Sequence, residues 1–160
     1  MVRVLFVCLG NICRSPIAQG VFEGVLRREG LADEVAVDSA GTGAWHVGEP
    51  PDERAARSAA ARGLDISGQR ARQLEAGDCE RFDYVLTMDE ENYRAVSELC
   101  PGSAVVRPFL DFAHSTPERE VPDPYFGGPD GFEKALDLAA EASEGLVEDI
   151  RRRHLADDVG

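Results

Sequence analysis

The chain has 160 residues, 43% of them apolar, with four cysteines and a net charge of −13 at pH 7. That length suits one domain spanning residues 1–160, able to bury roughly 70% of its unfolded surface without a disulfide staple. The acidity argues against nucleic acid and anionic membranes, which call for clustered cations, and no apolar run approaches the ~20 residues of a membrane helix.

Strand and helix signals alternate along the chain. Val2–Val7 reads as a buried strand of apolar and β-branched residues. A helix is expected from about Pro16 to Glu29, with Ser15 as N-cap, Pro16 in its first turn and Gly30 as its stop. Ile17, Val21 and Val25 recur at four-residue spacing, so one side can pack on a sheet. Glu34–Ser39 is a second strand, followed by the loop AGTGAWHVGEPP. Asp52 can cap a second helix ending at Gly63. Phe82–Met88 is a third strand leading into a helix that Pro101 and Gly102 stop, and Ala104–Phe109 is a fourth. A long polar segment then precedes an amphipathic helix from about Phe132 to Arg153. This order implies a mainly parallel sheet covered on both faces. Ligands of such sheets bind beyond the carboxyl ends of the strands, where the strand order reverses.

The start of the chain is not that of a secretory leader, since its apolar stretch runs straight into a turn, so the cytoplasm is the expected location. Paired cysteines are not expected there. Nor is a metal site: Cys8 and Cys13 lack zinc-knuckle spacing, and His46, His114 and His154 form no ligand pair.

The chemistry concentrates in the turn Cys8-Leu9-Gly10-Asn11-Ile12-Cys13-Arg14-Ser15. Gly10 and Asn11 tolerate positive φ, so the backbone can curl and aim successive N–H groups inward. Such a nest at the head of a helix attracts a dianionic oxyanion such as phosphate. Arg14 adds a planar fork for two of its oxygens. A thiol in that cradle loses its proton readily, with cysteines so placed reaching pKa values of ~3.5–7.5. Ser15 can donate a further hydrogen bond to the sulfur, and Cys8 becomes a nucleophile beneath a phosphate-sized bowl. A cysteine ending a strand is ordinarily a small buried apolar residue. The full eight-residue string between strand and capped helix is far more specific than a bare C-x5-R, and the Walker alternative lacks its GK[ST].

Cleaving a phosphoester also requires a proton for the leaving oxygen. Asp123, between Pro122 and Pro124 and followed by Tyr125, Phe126 and two glycines, is the candidate acid. An Asp-Pro turn is common in any protein; the need for an acid in a site without a histidine base raises it above that. Trp45, the single tryptophan, is either a partly buried anchor or, with Tyr125, an aromatic wall that accepts a phenyl ring.

Taken together, VCLGNICRSPIA, DSAGTGAWHVGEPPDERA, ARQL, FDYVLTMDEEN and DPYFGG resemble the low-molecular-weight protein tyrosine phosphatases, in that family's order and spacing from about Arg3 to Arg153. The resemblance implies a flavodoxin-like three-layer α/β/α fold with a four-stranded parallel sheet in the order 2-1-3-4, and neither metal nor organic cofactor. It implies Cys8 as nucleophile, Arg14 as the phosphate and transition-state clamp, and Asp123 as acid and then base. Asn11, Ser15 and Ser39 would hold the loop, Arg72 and Asp89 would support it from outside, and Trp45 and Tyr125 would line the entrance. Cys13 would form a reversible disulfide with Cys8 against overoxidation. Implied partners are phosphotyrosine proteins met by a monomer, with no nucleic acid or membrane. Two departures stand out. Gln69 replaces a frequent histidine, so that histidine's loop-supporting role does not carry over, and Phe126 stands where some relatives have a second tyrosine.

Related scaffolds reduce arsenate through a further cysteine pair, or dephosphorylate arginine with threonine at the position of Ile12. Cys79 and Cys100 are 21 residues apart, at an apparent helix start and helix end, which makes such a relay unexpected, and Ile12 with Trp45 favours tyrosine. A silent phosphotyrosine-binding module would need neither Cys8 nor Asp123.

Overall fold

In the computed structural model, which describes residues 1–125 and 127–155, strand β1 (Val2–Cys8) runs through the centre of the molecule. Val4, Phe6 and Cys8 join the larger apolar core on one face, while Leu5 and Val7 join a smaller one on the other. From Val4 to Cys8 the strand is buried on both sides and apolar without a break, which is why no alternation shows there. Phe6 meets the rings of Phe22 and Phe109 edge-on at centroid distances of 5.9 and 4.9 Å.

Strands β2 (Val35–Gly41), β3 (Tyr84–Thr87) and β4 (Val106–Pro108) complete a parallel sheet in the order β2-β1-β3-β4. The register runs from Val2 beside Val35 to Cys8 beside Gly41, with Val4 beside Tyr84 on the other flank. Helices α1 (Arg14–Arg28), α2 (Glu53–Ala60) and α5 (Pro129–Ile150) pack together on one side. The single turn α3 (Asp78–Arg81) and helix α4 (Glu90–Leu99) pack against the β3–β4 side of the sheet. The chain steps outward from β1 to β2 and then back to β3, so the strand order reverses between β1 and β3. The carboxyl ends of those two strands are therefore where a ligand is expected.

The expected elements are present with shifted ends. Helix α1 begins at Arg14 with Cys13 as its N-cap residue, so Ser15 is not the cap but lies inside the first turn. Asp52 caps α2 as expected, its side chain accepting from the Arg54 N–H. Helix α5 starts at Pro129, and its last turn, Arg151–Leu155, widens into a π-type turn. In the long polar segment, Phe109–Phe112 forms a 3₁₀ turn that buries Phe109, Leu110 and Phe112. Phe126 lies outside the described residues. Among the described residues no helix is long and apolar enough to cross a membrane.

One expectation is overturned. Cys79 and Cys100 form a disulfide, with Cα atoms 6.4 Å apart, while Cys8 and Cys13 remain free thiols. The start of α3 and the end of α4 converge at the amino edge of the sheet, packed over the smaller core, so separation along the chain hid the pair. That edge is the opposite end of the strands from Cys8, and neither cysteine lines the cavity above Cys8. The pair offers no relay to the Cys8 thiol.

Candidate active site

The turn after β1 is shaped by its outward-facing carbonyls. The carbonyls of Cys8, Leu9, Ile12 and Cys13 accept from the N–H groups of Thr42, Gly43, Asp52 and Ile17, at 2.9, 2.9, 2.8 and 3.1 Å. With those carbonyls engaged outside the turn, its N–H edges are left to face inward. Asn11, at φ 58°, is the one non-glycine among the described residues in the left-handed region, and that single residue makes the curl; Gly10 does not need it.

Cys8 Sγ lies at the floor. It accepts the Asn11 N–H at 3.3 Å and lies 3.0 Å from Ser15 Oγ. Asn11 Nδ2 donates to Ser15 Oγ at 2.8 Å and to Ser39 Oγ at 2.9 Å. Because Ser15 Oγ already accepts from the amide, its own hydrogen is available to the sulfur. Asn11 Oδ1 accepts from the Arg72 N–H at 3.0 Å, so every polar atom of this buried side chain has a partner. Burial of an amide is tolerable only on those terms.

Arg72 reaches outward from there. Its guanidinium spans Asp38, at 3.1 Å, and Asp78, at 3.0 and 3.2 Å. Asp38 Oδ1 in turn accepts the Ser39 N–H at 2.8 Å. Asp78 is buried, and burial alone would raise its pKa; the Arg72 guanidinium outweighs that and holds it low. Gln69, standing in place of the family's frequent histidine, also enters the network. Its Oε1 lies 3.4 Å from Ser39 Oγ, and its Nε2 donates to the Pro16 carbonyl at 3.1 Å.

Arg14 is 3% exposed. Both N–H groups of Nη1 are occupied, one by Asp89 Oδ2 at 2.6 Å and one by the Val121 carbonyl at 3.0 Å. Asp89 is held in turn as the N-cap of α4 through a reciprocal capping box with Asn92. The Nε–Nη2 edge is thereby presented as a fork for two oxygens. Burial disfavours the Arg14 charge, but Cys8, Asp89 and Asp123 outweigh it and hold its pKa above the ordinary value. Asp123 Oδ2 stands 3.6 Å from Arg14 Nη2.

Above the sulfur opens a cavity of about 170 Å³ whose walls include Ile12, Trp45, His46, Asp123 and Tyr125. A cavity of about 150 Å³ holds benzene, so an aryl group fits. Trp45 is 71% exposed. It is a wall and not a buried anchor, lying against Gly43, where any β-carbon would fall inside the indole. Cys13 also borders the cavity, and its thiol pKa is pushed up to about 12 by burial first, then by Asp52, Cys8 and Asp123.

All the site residues expected from the sequence therefore gather at one edge of the sheet. Sequence reasoning missed His46, which contacts Glu49 at 2.7 Å, and Asp38 and Asp78, the anchors of Arg72. It also missed Arg54, two positions after a recognised cap. Among the described residues no group of His, Cys, Asp or Glu could hold a metal ion.

Residues 3–156 match the family model described as low molecular weight phosphotyrosine protein phosphatase. A low molecular weight protein-tyrosine-phosphatase of Streptomyces coelicolor is 41% identical over 156 residues, covering 94% of each chain. YfkJ of Bacillus subtilis, of the same description, is 36% identical over 154 residues, 95% of this chain and 97% of the relative. The crystal structure of YfkJ superposes with a TM-score of 0.91 at 35% identity, covering 96% of this chain and 97% of that one. A protein tyrosine phosphatase from Entamoeba histolytica, with Hepes in its active site, gives 0.92 at 35% identity over 95% and 98% of the two chains.

Proposed function

Because the chain belongs to the low molecular weight phosphotyrosine protein phosphatase family, we propose that it hydrolyses phosphotyrosine in proteins through a phosphocysteine on Cys8. The observation that supports this reading is that Cys8, Arg14 and Asp123 border one cavity, with Asp123 Oδ2 3.6 Å from Arg14 Nη2. Arg14 and the inward N–H groups hold the equatorial oxygens of the phosphoryl group, where charge develops. Sulfur attacks phosphorus in line, and the bond to the tyrosyl oxygen breaks as Asp123 delivers its proton. The Asp123 carboxylate then takes a proton from water, which attacks the phosphocysteine and releases phosphate and the thiolate. Asn11, Ser15 and Ser39 keep the loop in shape, with Arg72, Gln69 and Asp89 behind them. Trp45 and Tyr125 stack on the substrate ring.

The reading includes a monomeric, single-domain cytoplasmic enzyme acting on phosphotyrosine proteins, with no role for nucleic acid or membrane. The net charge of −13 supports the last point, and the need for a reduced Cys8 supports the compartment, while the Cys79–Cys100 disulfide counts against it. Reversible closure of a Cys8–Cys13 bond is part of it. Peroxide takes the Cys8 thiolate to a sulfenic acid, and the Cys13 sulfur then attacks that sulfur and expels water to close the bond, which a thiol reopens.

The test is turnover of phosphotyrosine, phosphoarginine and phosphoserine peptides side by side, with arsenate reduction measured alongside. Phosphotyrosine is expected to be cleaved far faster than the rest. Faster release from phosphoarginine, or reduction of arsenate, would replace this reading.

A further inference from the structure

Asp123 reaches into the cavity from a loop at the surface, and the structure shows what fixes that loop relative to the sulfur. The Asp52 N–H donates to the Ile12 carbonyl at 2.8 Å, so the start of α2 hangs on the phosphate loop. The Asp52 carboxylate grips Arg54 on both sides, Oδ1 accepting from Nε at 3.1 Å and Oδ2 from Nη2 at 3.0 Å. The same Nη2 donates to the Tyr125 carbonyl at 3.0 Å. The guanidinium carbon also lies 5.4 Å from the centroid of the Tyr125 ring and 5.1 Å from that of Phe132, a fully buried residue of α5. Beyond Arg54, the Tyr125 N–H donates to Asp123 Oδ1 at 3.1 Å, which leaves Oδ2 facing Arg14. A continuous path of short contacts thus joins the phosphate loop to the carboxyl group opposite.

We infer that Arg54 is a positioning residue for proton delivery: it sets where Asp123 stands over the leaving oxygen by tying Tyr125 to Asp52 and so to Ile12. The inference rests on the assignment of Asp123 as acid given above. A flat cation held bidentately by one carboxylate while stacked on an aromatic ring is a role lysine does not fill. Arg54 touches neither the phosphoryl group nor the sulfur, so its loss leaves the phosphate clamp intact and displaces only the acid.

That difference can be read from leaving groups. Expelling a weakly acidic phenol needs the proton, whereas a strongly acidic phenol such as 2,4-dinitrophenol departs without it. The experiment measures kcat/KM for a series of aryl phosphates with wild type, Arg54→Lys, Arg54→Gln and Asp123→Ala. For phosphotyrosine both Arg54 variants are expected to lose about 10- to 100-fold, the scale of a misplacement near 1 Å. With 2,4-dinitrophenyl phosphate they should stay within a few-fold of wild type, which also shows that they fold. Asp123→Ala should show the same steepened dependence, more strongly. If Asp123→Ala shows it but the Arg54 variants lose equally across the series, or not at all, the inference fails alone. Wild-type behaviour of Arg54→Lys fails it as well, since the fork and stack would then be dispensable. Should Asp123→Ala itself show no dependence on the leaving group, the acid assignment falls and this inference with it.

Discussion

Two loops meet over the cavity and are held in different ways. In the phosphate loop Cys8, Asn11, Arg14 and Ser15 are all buried; Ser15 is bonded to Asn11 and Cys8 within the loop, while Asn11 and Arg14 are tied to Ser39, Asp89 and Val121 beyond it. Across from it the side chain of Asp123 keeps 39% of its surface exposed and Tyr125 keeps 37%. The difference follows from what each must do. Dipoles that stabilise transferred charge are effective only if they need no reorganisation when the charge arrives, so they are fixed from many sides. A proton donor has to stand at the mouth, where substrate enters and water follows, and it is fixed by a few long-reaching side chains. Arg14 serves both loops, with one nitrogen on Asp89 and the Val121 carbonyl and the other facing Asp123.

Substitutions can break this division of labour or sharpen it. The largest effect is expected for Cys8→Ser: turnover disappears while inorganic phosphate still binds within a few-fold of wild type by calorimetry, because the cradle is main chain and guanidinium. Next is Asp123→Ala, with kcat on phosphotyrosine falling by about 10²–10⁴ and phosphate affinity unchanged. Activity within a few-fold of wild type would move the acid elsewhere. Arg14→Lys replaces the fork by a point charge, and kcat should fall by about 10²–10³. Here, unlike at Asp123, phosphate affinity should fall too; if calorimetry finds it unchanged, the two loops are not separate in function.

The smallest effect concerns stability alone. Burial holds the Cys13 thiol neutral, its pKa raised from 9.0 to about 12. Below pH 9 folded and unfolded chains both keep that proton, and the favourable burial is complete. Between pH 9 and about 12 the unfolded chain releases it and the folded chain does not, so stability drains away as pH rises. Urea midpoints of Cys13→Ala should fall less over that window than those of wild type. Parallel declines would mean the thiol is not shielded.

The phosphate loop was legible because its chemistry is local. Eight consecutive residues specify a strand end, a left-handed residue, a nucleophile and a helix start. Even so, the sequence points to Ser15 as the helix cap, because a serine before a proline signals one. The helix begins two residues earlier, at Arg14, and the hydroxyl serves Asn11 and Cys8 instead. Asp89 enters the sequence reading only through the family resemblance, as an outer support; the structure adds that it caps α4 through a capping box with Asn92. What stayed hidden is whatever depends on partners far apart in sequence. Arg72 was named as a support, but its anchors Asp38 and Asp78 lie in β2 and at the start of α3. The Cys79–Cys100 bond was missed for the same reason, since one cysteine opens a helix, the other closes the next, and only the sheet brings them together. The histidine's role does not carry over to Gln69 by resemblance, and only the structure shows that its amide offers both a donor and an acceptor at that spot. For Arg54 the one available signal was its position two residues after the cap Asp52.

The central claim is that the phosphoryl group passes through sulfur 8. Rapid quenching of the reaction with a phosphotyrosine peptide, followed by mass spectrometry of the peptide that contains Cys8, tests it most directly. A phosphoryl adduct on Cys8 that forms and decays at the rate of turnover is the expected result. Full turnover with no adduct there, or with the phosphoryl group on another residue, would contradict it.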